Sequence, residues 1–169
     1  MARNVEIKAR IASVEGVLPR AESIADQGPF LIEQDDTFFA CEAGRLKLRA
    51  FAAGDGELIF YRRPDATGPK TSFYVRTPTA DPDGLREALS VAYGAVGRVL
   101  KRRTLFLVGR TRIHLDRVEG LGDFLELEVV LADDEPDEAG IAVAHELMAR
   151  LDVEAGSLVE GAYVDLQAE

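Results

Sequence analysis

The chain has 169 residues, 20 Lys+Arg against 30 Asp+Glu, a formal charge of −10, and 47% hydrophobic residues, a composition ordinary for one globular domain spanning 1–169. An acidic total of this size argues against a coat for long nucleic acids or a binder of anionic membranes, which need an exposed basic surface. The single cysteine, Cys41, excludes an internal disulfide, and no apolar run approaches the ~18 residues of a membrane span.

The start of the chain alternates Asn4, Glu6, Lys8 and Arg10 with Val5, Ile7, Ala9 and Ile11, which predicts a strand, not a secretory leader. A helix is expected over 13–27, with Ser13 as its cap, Pro19 as an irregularity and Gly28-Pro29 as its stop. Strands follow over 31–39, 45–51 and 57–63, joined through Ala43-Gly44 and Gly54-Asp55-Gly56 in the manner of hairpins. After a loop from Pro64 to Pro69, a strand over 70–77 leads to a helix over 81–93. That helix has Asp81 as N-cap, Pro82 at its first position and Gly94 at its end. Three more strands are read over 96–108, 110–118 and 124–131, with turns at Gly109 and at Gly120-Leu121-Gly122. An acidic loop precedes a helix over 137–151, and a short tail strand is expected over 163–166. Eight strands with few long breaks predict a meander that closes on itself. Neither a Walker-type nor a dinucleotide-binding glycine loop is present, and two histidines form no recognisable triad or zinc spacing. A reducing, cytoplasmic setting is expected.

The residues of the alternating polar face carry the chemistry. They are Glu6, Lys8 and Arg10; Lys47 and Arg49; Tyr61 and Arg63; Lys70, Tyr74 and Arg76; Lys101 and Arg103; Arg112, His114 and Asp116; and finally Glu126 and Glu128. The net charge hides this pattern. Residues 1–118 hold 19 basic and 15 acidic side chains, whereas residues 119–169 hold one basic residue, Arg150, against 15 acidic ones. In an open sheet this face is simply solvated. In a closed barrel the same parity lines the lumen, where cations without partners are untenable unless a polyanion and a divalent metal reside there. Both readings stand on pattern alone.

Val5-Glu6-Ile7-Lys8 begins a series of motifs that resembles the CYTH superfamily, the triphosphate tunnel enzymes of the class IV adenylyl cyclase and thiamine triphosphatase group. The family signature on the first strand is ExExK, and Asn4, Glu6 and Lys8 stand in its register. The series continues through Leu46-Lys47-Leu48-Arg49, Tyr61-Arg62-Arg63-Pro64, Gly68-Pro69-Lys70-Thr71-Ser72, Lys101-Arg102-Arg103, Ile113-His114-Leu115-Asp116 and Glu126-Leu127-Glu128. Gly-Pro-Lys and the terminal Gly161-Ala162-Tyr163-Val164-Asp165 look closer to the cyclase-like branch.

The resemblance implies an α+β fold, a closed eight-stranded antiparallel barrel flanked by helices. It implies that Lys8, Lys101, Arg103 and Asp116 take part in catalysis. Arg10, Lys47, Arg49, Arg63, Lys70, Arg76 and Arg112 would bind the substrate triphosphate, Lys70 nearer the base or the α-phosphate. Glu6, Asp116, Glu126 and Glu128 would hold Mg²⁺ or Mn²⁺, hard cations suited to carboxylate oxygens. Asn4 departs from the family by offering a neutral oxygen where the first Glu stands. The implied activity is an adenylyl cyclase making cyclic AMP and pyrophosphate from ATP. An inorganic or organic triphosphatase is the alternative, and a non-catalytic triphosphate-binding module is the third reading. The partner is a small triphosphate, with no nucleic acid or membrane, and a homodimer is compatible with the family. From the residues themselves, His114 reads equally as a lumen group or a hydrogen-bonded barrel histidine, and Tyr61 and Tyr74 read as barrel packing in preference to contacts with a base. His145 reads as structural or exposed, and Arg45, Arg62, Arg102 and Arg117 as rim or outward charges.

Overall fold

A computed structural model describes residues 2–169. Its elements in chain order are β1 (Ala2–Arg10), α1 (Val14–Ile24), β2 (Gln27–Phe39), β3 (Arg45–Phe51), β4 (Gly56–Arg62), β5 (Lys70–Thr79), α2 (Pro82–Tyr93), β6 (Ala95–Val108), β7 (Thr111–Val118), β8 (Gly122–Val130), α3 (Asp137–Arg150) and α4 (Tyr163–Gln167). The eight strands close into an antiparallel barrel in the order β1-β5-β4-β3-β2-β6-β7-β8, β8 pairing back onto β1.

The order corrects the expected meander. Strands β2 to β5 and β6 to β8 are two meanders, and β1 is inserted between β5 and β8 to close them. The two long crossovers carry helices: α1 lies over β6, β7 and β8 on the way to β2, and α2 lies over β3 and β2 on the way to β6. Local signals account for both helix starts. Ser13 accepts the Gly16 N–H at 3.0 Å, and Asp81 accepts the Gly84 N–H at 3.0 Å, each satisfying an amide that has no partner within the helix. The first helix ends at Ile24, earlier than expected, because β2 runs back across Gly28-Pro29 to pair with β6.

Strict alternation sends the two residue classes to opposite sides of the wall. The main apolar core therefore lies outside the barrel. Ile7, Phe106, Ile113, Leu115, Leu125 and Leu127 face outward and pack with Ala21 of α1 and Leu147, Met148 and Leu151 of α3. Gly140 lets α3 come this close, since a Cβ there would stand 2.7 Å from Val5 Cγ2 and from Leu131 Cδ2. With the outer face used for the core, the polar positions are left to the lumen.

One end of the lumen is sealed. Phe38, Val99, Val118 and Phe124 form a floor with Ala162, Tyr163, Val164 and Leu166 of the C-terminal segment. The expected tail strand over 163–166 is here the short helix α4. Its turn is held by Asp165, whose carboxylate accepts the Ala162 N–H at 2.9 Å and pairs with Arg45 at 2.5 Å. No helix among the described residues is long and apolar enough to cross a membrane.

Candidate active site

The lumen is a cavity of about 210 Å³. Its depth is graded: the Lys101 side chain is 2% exposed near the floor, whereas Arg76 is 46% exposed at the opposite mouth. Arg76, Arg112 and Glu128 lie toward the mouth, and Tyr163 lies at the floor.

Strand register decides which charges meet. On one wall Lys8 of β1 and His114 of β7 flank Glu126 of β8, and in the next row Glu6 and Arg112 flank Glu128. Lys8 Nζ and Arg103 Nη2 approach Glu126 at 3.8 and 3.7 Å, and Arg112 Nη2 pairs with Glu128 at 2.7 Å. Glu6 is engaged by Arg63. Burial, with Glu128 and Glu126 nearby, pushes Glu6 above the usual carboxylate range despite Arg63. Burial would raise Glu126 as well, but Lys8, then His114 and Arg103, outweigh it and hold that carboxyl well below its ordinary value. Glu6, Glu126 and Glu128 thus form an acidic wall, as the alternation predicts.

The facing wall is cationic and holds two carboxylates that the sequence reading does not single out. Asp36 of β2 is wholly buried and accepts a paired bond from Arg49, at 2.8 Å to each oxygen. Lys101 at 3.0 Å and Lys47 at 3.3 Å converge on the same carboxylate. Burial opposes its charge, yet Arg49, Lys101 and Lys47 hold Asp36 well below the usual range. One carboxylate among three cations leaves an excess of positive charge. Its mark is on Lys47, which burial and then Arg49 bring down to about 7; Lys8 comes down to about 8, chiefly by burial. Nearer the mouth Glu57 accepts Arg76 at 2.9 Å. The signal for Asp36 was its even position in β2, masked by the polar run Glu33-Gln34-Asp35-Asp36.

The expected site residues do not all reach the cavity. Glu6, Lys8, Lys47, Arg49, Arg63, Arg76, Lys101, Arg103, Arg112, Glu126 and Glu128 line it, together with Tyr61, Tyr74 and His114. Asp116 does not. It is fully buried behind the lining, where both oxygens accept Arg103 at 2.7 Å and one also accepts the Tyr163 hydroxyl at 2.8 Å. Three of the roughly four acceptor sites of its carboxylate are thus taken, and in this structure Asp116 braces Arg103 instead of facing the cavity. Arg10 is also displaced: it is exposed, with its guanidinium over the Phe124 ring at 5.0 Å, on the far side of the floor. Lys70 is buried opposite Glu6, and its Nζ donates to the Ala66 carbonyl at 2.6 Å. His145 is exposed on α3, and Arg102 points outward to Glu33.

The donor chemistry fits a divalent cation. Glu126 and Glu128 present carboxylates to the lumen, and Asn4 Oδ1, Gln34 Oε1 and His114 Nδ1 are buried lining atoms without hydrogen-bond partners. Unsatisfied buried polar atoms are rare in proteins and mark the place of an ion, a water or a ligand. The facing wall of the same lumen carries the cations that a phosphate chain needs, Arg with its planar fork and Lys with a compact charge.

A family model of the CYTH domain matches residues 2–163. No curated protein matches the chain in sequence. Among solved structures, the PH1012 protein of Pyrococcus horikoshii OT3 is similar at TM-score 0.86 and 23% identity, over 96% of this chain and 98% of that one. A Vibrio parahaemolyticus protein provisionally described as an adenylate cyclase matches at TM-score 0.75 and 20% identity, over 98% of each chain. HpAC1 of Hippeastrum, provisionally an adenylyl cyclase and described as having a dominant triphosphatase activity, matches at TM-score 0.65 and 16% identity. That match covers 96% of this chain and 91% of its own. At these identities the likeness is one of fold.

Proposed function

We propose, for a chain that belongs to the CYTH domain family, that the lumen takes the phosphate chain of a nucleoside triphosphate and that the protein is an adenylyl cyclase. The observation that carries the reading is the convergence of Lys8, Lys47, Arg49, Lys101 and Arg103 in a lumen sealed at one end. A polyanion drawn into such a site adds negative charge where three cations share the single carboxylate of Asp36, in surroundings where each contact is stronger than in water.

The closed floor gives the substrate a direction. With the terminal phosphate inward, the β- and γ-phosphates meet Lys101, Arg103, Lys8 and the Asp36-bound cations. The ester phosphate then stands mouthward, beside Glu126 and Glu128, and the nucleoside faces Tyr74, Arg76 and Arg112. Glu126 and Glu128, with Glu6 behind Arg63, would hold Mg²⁺ or Mn²⁺, which would screen phosphate charge and acidify an attacking hydroxyl. The chain's own cations stabilise the charge that develops on departing pyrophosphate. Attack of the 3′-hydroxyl on the α-phosphorus forms the cyclic ester as the bond to the β-phosphate breaks. Carboxylates placed mouthward of the deepest cations favour this outcome over attack at the terminal phosphorus.

Hydrolysis is the second reading, favoured by the Hippeastrum relative, whose dominant activity is described as that of a triphosphatase. Incubation with ATP and Mn²⁺ or Mg²⁺, followed by chromatography, separates the two. Cyclic AMP with equimolar pyrophosphate is expected; ADP with orthophosphate and no cyclic AMP would replace the cyclase by the triphosphatase. Stoichiometric binding without turnover of ATP or tripolyphosphate would leave a binding module.

A further inference from the structure

We infer that His114 is a nitrogen ligand of the lumen cation, so that the site is a mixed imidazole and dicarboxylate centre that prefers Mn²⁺ to Mg²⁺. This deepens the proposed function and rests on its reading that a cation is held at Glu126 and Glu128.

Two features of His114 point the same way. It is 4% exposed and lies within the lining, on the inward parity of β7 between Arg112 and Asp116. Its Nδ1 is buried and has no hydrogen-bond partner. A histidine kept for packing normally places its buried ring nitrogen against a carbonyl or carboxylate at hydrogen-bond distance. Here the neighbours across β6 and β8 are Leu105 and Glu126, and no hydrogen bond reaches the orphaned atom.

The spacing to the carboxylates is that of co-ligands. His114 Nδ1 is 3.8 Å from Glu126 Oε2 and 3.8 Å from Glu128 Oε1, too far for a hydrogen bond to either. An imidazolium clamped between two carboxylates would draw at least one of them to roughly 2.7–2.9 Å. Bonds of roughly 2.0–2.2 Å to a shared ion instead place two ligand atoms about 3–4.4 Å apart. One donor atom from each of His114, Glu126 and Glu128 lies within 4.8 Å of the other two. The facing oxygens are also not fully claimed by the cations. Arg112 takes Glu128 through Oε2, leaving Oε1 toward the histidine, while Lys8 and Arg103 stand at 3.8 and 3.7 Å from Glu126.

A nitrogen donor changes which ion the site selects. Carboxylates and water suit Mg²⁺ and Mn²⁺ alike, whereas an imidazole nitrogen adds affinity for a transition ion and little for Mg²⁺, so of the two the site favours Mn²⁺. The two acidic ligands belong to the chemistry of the proposed site, and the imidazole sets its metal preference.

The test uses the intact protein and Mn²⁺ alone, without substrate. Pulsed electron paramagnetic resonance of bound Mn²⁺ should show coupling to a directly ligated nitrogen, present in the wild type, absent in His114→Gln and retained in His145→Gln. Titration should show a Mn²⁺ affinity lower by at least about tenfold in His114→Gln, with Mg²⁺ affinity changed by less than about threefold. If His114→Gln does not fold, nitrogen-15 labelling of histidine in His145→Gln decides, because the coupling pattern then changes only if His114, the one histidine left, is the ligand. Mn²⁺ bound at one site without nitrogen coupling would overturn the inference while the carboxylate-held cation stands. Coupling that persists in His114→Gln would overturn it too, as would failure to bind Mn²⁺ at all. Failure to turn over ATP bears only on the proposed function, since the spectrum needs no substrate.

Discussion

Asp36 shows at the residue scale how a lumen full of cations remains folded. Three cations share its carboxylate, and Arg49 alone makes two bonds to it. Removing one member of a buried ionic cluster leaves the others desolvated and uncompensated, at a cost of roughly 3–5 kcal/mol. Asp36→Asn should therefore lower stability by about that amount in denaturant unfolding. Tripolyphosphate should raise the unfolding midpoint of the variant more than that of the wild type, because the anion supplies the missing negative charge. Equal stabilisation of the two would show that the Asp36 cations do not face the ligand. Asp116 illustrates the limit of reading residues by parity. Alternation directs it inward correctly, but cannot reveal that Arg103, opposite it across β6 and β7, takes both of its oxygens. Likewise the polar run from Glu33 to Asp36 offers charged side chains on both faces of β2, so Asp36 is hidden among solvated neighbours.

At the scale of elements, strands and long helices were legible because period two and the capping residues are local signals. The tail was not. Tyr163-Val164-Asp165-Leu166 alternates like a strand, and a helix of barely more than one turn is too short to show its own period. What sets it is non-local: Arg45 on Asp165, the Tyr163 hydroxyl on Asp116, and the fit of Val164 against β6. Gly97 is the tightest point of that fit, since a Cβ there would stand 2.3 Å from Val164 Cγ2. Gly97→Ala should push α4 off the floor and destabilise the fold by about 1–3 kcal/mol, the usual cost of overpacking. Adding Val164→Ala should recover part of that loss, read as a positive coupling in a double-mutant cycle. Strict additivity of the two substitutions would contradict the contact. Strand order was equally out of reach, because nothing local indicates that β1 closes the barrel between β5 and β8.

For the whole molecule, the formal charge of −10 is the sum of two separate populations. The lumen collects cations from β1, β3, β5, β6 and β7, and Arg63 from just beyond β4, around a few carboxylates, while the outer face is spent on an apolar core beneath α1 and α3. A negative total is thus compatible with a small polyanion held inside the barrel. The central claim is that this lumen is a triphosphate site, and calorimetric titration with tripolyphosphate tests it most directly. Run near pH 8 in two buffers of different ionisation enthalpy, it should give one site per chain with net uptake of protons. Lys47 at about 7 and Lys8 at about 8 are partly neutral there, and an arriving anion raises both and draws protons in. Absence of saturable binding, or binding unaltered when Arg49 is replaced by Met, would contradict the account.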